Sequence, residues 1–264
     1  MRNKCNDELV RGERRIMFEL KNKRLSVLSE MVRPCEVAAD IGTDHAHLPI
    51  ELVLSGKCER VIACDVKEGP LAVAKKNISQ YALGHCIELR LGFGLEVLEP
   101  GECSLITVAG MGGLMICDIL ERSENVARTA SQLILQPNTC EYDLRKYLYE
   151  NGYVIEDEKG VRDGDHCYLA VSCHKEENPE KLDEYKKKIK ENFPGNNIDN
   201  YFFAGNVMAE RKDDEDVEFL QNLCKKAERV LDGISLSGEV LTEENSEKKK
   251  KYTALCEFLR RISG

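Results

Sequence analysis

Short apolar runs alternate with amphipathic segments over the first two thirds of the chain. Five runs of seven or eight residues, rich in Val, Ile, Leu, Ala and Cys, predict buried strands: CEVAADI, RVIACDV, CIELRLG, SLITVAG and SQLILQPN. Apolar residues at helical spacing predict helices at residues 22–32, 49–55, 69–83, 113–123 and 141–152. Strands that alternate with helices are typical of a mostly parallel, doubly wound sheet with helices on both faces.

A hairpin is predicted after the last of these helices. The segment YVIEDEKGVRDGDHCYLAVSCHK contains two strand-like runs joined through Arg162, Asp163, Gly164 and Asp165. Such a hairpin would add an antiparallel edge to the sheet. The predicted fold class is therefore α/β, a doubly wound Rossmann-like sheet with an antiparallel terminal hairpin.

The composition changes after Lys175, where the chain becomes very polar. Two helical repeats of apolar residues follow, formed by Val217, Leu220, Leu223, Ala227, Val230 and Leu231 and then by Tyr252, Leu255, Leu259 and Ile262. They predict a long α-helical hairpin of the coiled-coil kind with a narrow apolar seam. We expect two domains, a ligand-binding domain at residues 16–175 and a helical module at residues 176–264.

Composition and charge narrow the class of protein. The chain has 264 residues, a net charge of −9 and no apolar run of transmembrane length, and its first residues lack the apolar core of a secretory signal. We therefore expect a cytoplasmic protein with no membrane partner, and a monomer.

The twelve cysteines include no C-x-x-C pair and lie mostly in apolar runs, so they are expected to be small buried hydrophobes, with no metal site. The first 33 residues carry nine basic against five acidic side chains, a local excess that would suit a polyanion.

The first strand ends in an unusual cluster of polar residues, VAADIGTDHAHLP. Asp40 closes the apolar run, Gly42 follows, and then come Asp44, His45 and His47. In a doubly wound sheet, ligands bind beyond the carboxyl ends of the strands, near the point where the strand order reverses. We therefore expect this cluster to lie on the functional edge of the sheet.

The chemistry of this turn favours a cationic ligand. A dinucleotide pyrophosphate needs several glycines at the first turn, and this turn has one, which argues against a nicotinamide dehydrogenase. S-adenosylmethionine carries no phosphate, and its ammonium and sulfonium groups attract carboxylates. Asp40 and Asp44 would bind this cationic end, and Gly42 would let the methionine portion lie against the backbone.

Three further strand ends complete the predicted cofactor site. The carboxylate of Asp65, at the end of the second strand, can accept hydrogen bonds from both ribose hydroxyls of an adenosine. The GFG turn, residues 92–94, ends the third strand, and the adenine should lie there. The residues at these ends that we expect to bind the cofactor are Asp65, Val66, Gly92, Phe93, Gly94, Ala109, Gly110 and Met111. Any one acid could equally be a helix cap or turn residue, but four such turns follow four strands in the expected order.

Several motifs together resemble a known family. VAADIGTDHAHLP, GPLAVAKKN, RLGFGL, VAGMGG and LILQPN followed by LRKYL are similar to the bacterial tRNA adenine-22 N1-methyltransferase family, from about Arg24 to the C-terminal helices. The resemblance implies a class I methyltransferase fold, S-adenosyl-L-methionine as the methyl donor, tRNA as the substrate and a helical coiled-coil module at the C-terminus. The family usually has tyrosine at the position of His47 and a small polar or acidic residue at that of Phe93.

Methylation of adenine N1 suggests roles for the polar residues. N1 has its own lone pair, so the enzyme must mainly orient the base and stabilise developing positive charge. Asp44 is the expected stabiliser, and His45 and His47 are candidates to orient it or to contact the base. His45 could instead be a structural turn residue.

N1 lies on the Watson–Crick edge, so the target base must be unpaired or flipped into the site. Residues expected to contact the substrate are Arg24, His47, Leu48, Pro49, Met111, Gly112, Gln136 and Asn138. Met111 could also be core packing, and Asn138 could simply cap the next helix. Basic residues at Lys21 and Lys23, around 11–15, at 186–190 and at 248–251 could contact the tRNA backbone or form solvated helix faces.

Two alternative functions stay open from the sequence. One is a methyltransferase that acts on a small molecule or a protein, for which the C-terminal helices would be dispensable. The other is a non-enzymatic adaptor that binds S-adenosylmethionine and uses its helical hairpin for protein partners.

Overall fold

The computed structural model describes residues 20, 22–193, 198–211, 213–236 and 243–263. Its centre is a seven-stranded sheet in the order β3-β2-β1-β4-β5-β7-β6. The strands are β1 (Cys35–Ile41), β2 (Cys58–Asp65), β3 (Ile87–Leu91), β4 (Leu105–Gly112), β5 (Gln132–Thr139), β6 (Tyr153–Asp163) and β7 (His166–Lys175). The first five are parallel, and β7 runs antiparallel to both β5 and β6. The predicted doubly wound sheet with an antiparallel hairpin is confirmed.

Helices cover both faces of the sheet and continue beyond it. The helices of the sheet region are α1 (Lys23–Met31), α2 (His47–Leu54), α3 (Glu68–Gln80), α4 (Gly113–Arg122), α5 (Glu124–Ala127) and α6 (Glu141–Glu150). The later helices are α7 (Pro179–Asn192), α8 (Ile198–Ala204), α9 (Asn206–Arg211), α10 (Asp214–Leu236) and α11 (Glu243–Ser263). Two separate apolar clusters lie on the sheet, which explains why its central strands are apolar on both faces.

The strand order reverses at β1, which lies between β2 and β4. Asp40 in β1 is level with Ala63 of β2 and Thr107 of β4, so the carboxyl ends of these three strands meet at one edge. A crevice at such a reversal is where open α/β sheets bind ligands. The sheet therefore brings the polar turn after β1 to the expected position.

The C-terminal helices pack directly on the hairpin strand β6. Gly160 of β6 lies under α10, where an added Cβ would come within 2.7 Å of the Phe219 Cβ and the Glu215 carbonyl oxygen. Met208 and Phe219 belong to the same apolar cluster as the sheet. The helical segment and the sheet therefore share part of one core.

A buried ion pair strengthens this contact. The Arg145 Nε of α6 lies 2.5 Å from the Glu158 Oε1 of β6, and both side chains are fully buried. Arg145 also donates from Nη1 to the backbone oxygens of Phe202 and Phe203, at 3.2 and 2.8 Å. Removing one partner of such a pair would leave an uncompensated buried charge, so the pair ties α6, α8 and β6 together.

Helices α10 and α11 form the predicted hairpin. Gln221 contacts Ser263 and Glu228 contacts Arg260, so the two helices run antiparallel. Their apolar seam is extended by Tyr142 and Tyr149 of α6, which the heptad-like spacing did not indicate. The short helices α8 and α9 were also not predicted, because they are too short to show a helical repeat.

No helix in the described part of the chain is both long and apolar enough to cross a membrane. Within the same residues, no group of three or more His, Cys, Asp or Glu side chains could hold a metal ion.

Candidate active site

The turn after β1 is tight and is held by the end of β2. Gly42 and Thr43 donate from their backbone amides to the Cys64 carbonyl oxygen of β2, at 2.8 and 2.9 Å. Gly42, Asp44 and Ala46 all have positive φ, at 74°, 49° and 57°. Non-glycine residues in this region are uncommon and often mark functional turns. This backbone leads into helix α2, whose first residues His47 and Leu48 line the crevice together with Asp44.

Gly42 also permits a close side-chain approach. An added Cβ at this position would lie 2.3 Å from the Met111 Cε, at the end of β4. The neighbour beside Gly42 is thus the Met111 side chain of the protein itself, and the predicted approach of a ligand to the Gly42 backbone stays a prediction. Met111 is half-buried against the apolar cluster, so it forms one wall of the region above the turn.

Asp40 is the buried acid of the crevice. Its side chain is 6% exposed, and the Thr107 hydroxyl donates to its Oδ1 at 2.6 Å. Burial raises the pKa of the Asp40 carboxyl, and the hydrogen bond from Thr107 opposes this rise. Thr107 therefore favours the ionised form of Asp40, which a cationic ligand requires.

Replacing Thr107 with valine should lower the free energy of unfolding by about 1–3 kcal/mol, because the buried Asp40 carboxyl loses its donor. A group whose folded pKa is raised above its unfolded value loses stability as pH rises between the two values. The loss should therefore be larger at pH 7 than at pH 4 in urea titrations. Thr107→Ser keeps the hydroxyl and serves as the control. Equal stability of the two variants at pH 7 would disprove this role.

Asp44, His45 and His47 form the exposed side of the crevice. The Asp44 carboxylate is 68% exposed, and its Oδ2 lies 3.6 Å from the His45 Nε2. The two imidazole rings meet edge to face at 5.7 Å between centroids. Desolvation and the neighbouring His45 lower the pKa of His47, so its imidazole is neutral at neutral pH.

Asn77 of α3 fixes the backbone of this turn by donating to the His45 carbonyl oxygen at 2.9 Å. The His45 Nδ1 is buried and has no hydrogen-bond partner among the described residues. An unpaired buried nitrogen beside a crevice is the kind of atom that a bound ligand or water satisfies.

The ends of β2 and β3 form a second, open part of the rim. The Asp65 Oδ1 accepts a hydrogen bond from the Lys67 amide at 2.9 Å, and the Asp65 carbonyl accepts one from Gly92 at 3.0 Å. These contacts join the carboxyl end of β2 to the GFG turn at residues 92–94. Val66 and Leu91 are 58% and 53% exposed there. A flat apolar ligand such as an adenine could cover both.

Phe93 is turned partly inward. Its ring packs against the apolar cluster of the sheet and lies 5.2 Å from the Arg122 guanidinium carbon. Gly94 has a φ of 54°, and a Cβ added there would lie 3.1 Å from the Ile119 Cγ2. The turn is therefore held by the core on one side and open along its backbone.

The turn after β4 is held by two side chains of β5. Gln136 accepts at Oε1 from the Gly110 amide at 3.1 Å and also from Arg24. Asn138 donates from Nδ2 to the Gly110 carbonyl oxygen at 2.7 Å. Gln136 is fully buried, whereas Asn138 is exposed. Asn138 thus clamps this turn, a use that differs from the helix cap considered from the sequence.

Eight of the predicted site residues line one cavity of about 100 Å³. They are Arg24, Asp40, Gly42, Asp44, His45, His47, Leu48 and Ala109. Closed small-molecule sites are typically three to ten times larger, so this cavity encloses only part of a ligand. The remaining predicted residues lie outside it, on the β2 and β3 ends, on the turn after β4, or buried beneath the turn as Pro49 is.

Three residues of the site escaped the sequence analysis. Leu25 and Thr43 line the cavity, and Thr107 supports Asp40. A hydroxyl in the middle of the apolar run LITVAG was the only signal for Thr107. Leu25 was assigned to the apolar face of a helix, and its place at the crevice follows from packing between distant segments.

A seven-stranded sheet of this order, with carboxylates and a single glycine at the end of β1 and an acid at the end of β2, defines a class I methyltransferase. The family model described as "Methyltransferase domain" matches residues 21–171.

The relatives narrow this class. The chain is 31% identical to the tRNA (adenine(22)-N(1))-methyltransferase of Bacillus subtilis strain 168 over 93% of its length and 98% of that protein. The crystal structure of the B. subtilis M1A22 tRNA methyltransferase TrmK is similar with a TM-score of 0.78, at 28% identity over 94% of this chain and all of that one. Sp1610 of Streptococcus pneumoniae, in complex with S-adenosyl-L-methionine, gives 0.73 at 27% identity over 93% of this chain and all of that one. The chain belongs to the tRNA (adenine(22)-N(1))-methyltransferase family.

Proposed function

We propose that this enzyme uses S-adenosyl-L-methionine to methylate N1 of an adenine in tRNA, at position 22. The observation that carries the proposal is the crevice at the strand reversal, where the buried Asp40, the exposed Asp44 and Arg24 line one cavity. The family membership across 93% of the chain supports the reaction and the substrate.

The crevice has the chemistry that the cofactor requires. Its small enclosed part contains carboxylates and a guanidinium, which complement the ammonium and carboxylate of an amino acid. Its open part presents Asp65 for the ribose hydroxyls and exposed Val66 and Leu91 for the adenine. Asp40, kept ionisable by Thr107, would hold the ammonium end.

The bound cofactor supplies an electrophilic methyl group on a sulfonium. The protein's contribution is to orient the adenine, exclude water and stabilise positive charge that develops on the base. Asp44 has an exposed carboxylate at the rim and would stabilise this charge. His47, neutral because its pKa is lowered, would lie against the base or accept a proton through solvent.

The target base would enter between the turn after β1 and the turn after β4. His47 is exposed at the rim of the cavity, and Met111 of β4 lies beside Gly42, outside the cavity lining. Leu48 is almost fully buried at the bottom of the cavity. N1 is hidden in a base pair, so the adenine must leave its stack to reach this pocket.

The tRNA backbone would contact exposed lysines of the helical module. Lys187, Lys188 and Lys190 of α7 and Lys248–Lys250 of α11 are exposed. By contrast, the Lys186 ammonium lies over the Tyr149 ring at 5.0 Å, and Lys251 pairs with Asp199 at 3.1 Å. The basic residues around 11–15 and Lys21 lie outside the described residues. A tRNA substrate agrees with the expected cytoplasmic location.

Nucleoside analysis tests this function. An unmodified tRNA transcript incubated with enzyme and deuterated-methyl donor should yield labelled 1-methyladenosine after digestion and mass spectrometry. A transcript with guanine in place of adenine 22 should yield none. A different labelled nucleoside, or label retained in the second transcript, would overturn the assignment of base or position.

A further inference from the structure

Helix α4 begins with two apolar side chains on its solvent side. Leu114 and Met115 lie in its first turn and are 60% and 46% exposed. The buried residues of the same helix are Gly113, Ile116, Cys117, Ile119 and Leu120. A polar residue at either exposed position would leave the buried side unchanged, so packing does not explain the pair. Adjacent apolar side chains that face water mark an interaction surface.

The first turn of α4 is packed on the end of β5. A Cβ added at Gly113 would lie 2.4 Å from the Cys140 carbonyl oxygen, so the absence of a side chain lets the two backbones meet. The ladder between β4 and β5 changes register on both sides of Met111. Such irregularities redirect side chains and are frequent beside active sites. Leu114 and Met115 are therefore carried on a packed backbone and not on a loop.

The pair lies at the edge of the sheet where the crevice is. β4 ends at Gly112, and Leu114 follows two residues later, so its Cα is within about 8 Å of this strand end. Val66 and Leu91, the exposed apolar side chains at the ends of β2 and β3, lie on the other side of β1 in the sheet. An adenosine that covers them therefore leaves Leu114 and Met115 uncovered.

Access to the target base supplies an occupant for the pair. Adenine N1 is hidden in a base pair, and the base has to leave its stack to reach the crevice, which costs stacking free energy. Proteins hold base stacks open by inserting apolar side chains, leucine and methionine among them, between base steps. The base would enter beside the turn after β4, so the gap that it leaves would face the start of α4.

We propose that Leu114 and Met115 form an apolar wedge that fills the gap in the tRNA base stack when the target adenine enters the crevice. The inference rests on the proposed function. It assigns the pair to the opening of the stack, and it leaves the methyl transfer itself to the residues of the crevice.

Single-turnover methylation at saturating tRNA tests the wedge in the full chain. Leu114→Gln combined with Met115→Gln keeps helix-forming side chains and removes the apolar surface. This double variant should slow methylation of an intact tRNA transcript roughly tenfold to a hundredfold, because the stack then opens without a replacement contact. A transcript with an abasic site next to the target adenine has no base step to wedge, so its rate should fall no more than about threefold.

Two further variants are matched controls. Leu114→Met combined with Met115→Leu keeps the apolar surface and should retain most of the rate. Val73→Gln removes an apolar side chain of α3 that is 40% exposed, and it should leave the rates on both transcripts unchanged. The glutamine double variant should bind S-adenosylhomocysteine normally, since neither Leu114 nor Met115 is among the described residues that line the cavity.

A fluorescent base gives a second readout that does not depend on turnover. A transcript with 2-aminopurine in place of adenine 22 should brighten when the wild-type enzyme binds it with S-adenosylhomocysteine, because the base leaves its stack. The glutamine double variant should give a much smaller rise at saturating protein. This measurement decides the question if the abasic transcript is not a substrate of the wild-type enzyme.

Three results would overturn the proposal. One is an equal slowing on the intact and the abasic transcript, which indicates a general role in folding or docking. Another is a rate and a fluorescence rise equal to those of the wild type. The third is a dimer in sedimentation that the glutamine substitutions dissociate, which assigns the pair to an interface between two copies of the chain. A wild-type enzyme that yields no 1-methyladenosine would instead contradict the proposed function itself.

Discussion

Replacing Asp65 with alanine is expected to weaken the binding of S-adenosylhomocysteine by about a hundredfold or more. A carboxylate that accepts from both ribose hydroxyls makes two charge-assisted hydrogen bonds, each contributing about 1.5–3 kcal/mol. Asp65 ends β2 beside the GFG turn, with the Lys67 amide on Oδ1. Isothermal titration of the purified variant measures the change.

The matched control is Asp165→Ala, which removes the same charge from an exposed turn residue between β6 and β7. It should leave the affinity for S-adenosylhomocysteine unchanged. An Asp65 variant that binds the ligand as tightly as this control would show that the ribose lies elsewhere.

Replacing Asp44 with asparagine is expected to lower kcat by roughly a hundredfold to a thousandfold, the usual cost of removing one transition-state electrostatic group. Asparagine is chosen because it tolerates positive φ, and Asp44 has a φ of 49°. The variant therefore removes the charge without straining the turn. The KM for the methyl donor should change far less, because the charge acts mainly on the base as it becomes cationic.

Rapid-quench single-turnover assays on a tRNA transcript separate the chemical step from product release. Asp44→Ala provides a second comparison, since it removes the carboxylate and also places a less tolerant residue at positive φ. A single-turnover rate for Asp44→Asn within a few fold of the wild type would exclude Asp44 as the stabilising carboxylate.

The strands and most helices could be predicted from local patterns. Apolar runs bounded by Gly and Pro gave the five parallel strands and the hairpin, because burial on both faces leaves a continuous apolar signal. The start of α2 was predicted at Pro49, but the helix begins at His47. The left-handed Ala46 turns the chain just before it, which no periodicity reveals.

The acids and glycines of the rim were predictable because they follow strands directly in the sequence. Their supporting contacts were not. Arg24 and Gln136 are 112 positions apart, and Thr107 reaches Asp40 across 67 positions. Such pairs depend on strand order, which local sequence does not encode. The same limit applies to Lys251, which is engaged by Tyr142 and Asp199 of distant helices.

Crystals of the enzyme with S-adenosylhomocysteine test the central claim most directly. Difference density should show the ribose hydroxyls on Asp65, the adenine over Val66 and Leu91, and the amino acid end in the cavity with Asp40 and Arg24. Density that leaves this crevice empty at saturating ligand, or that shows the ligand bound at another surface, would contradict the assignment of this crevice as the methyl-donor site.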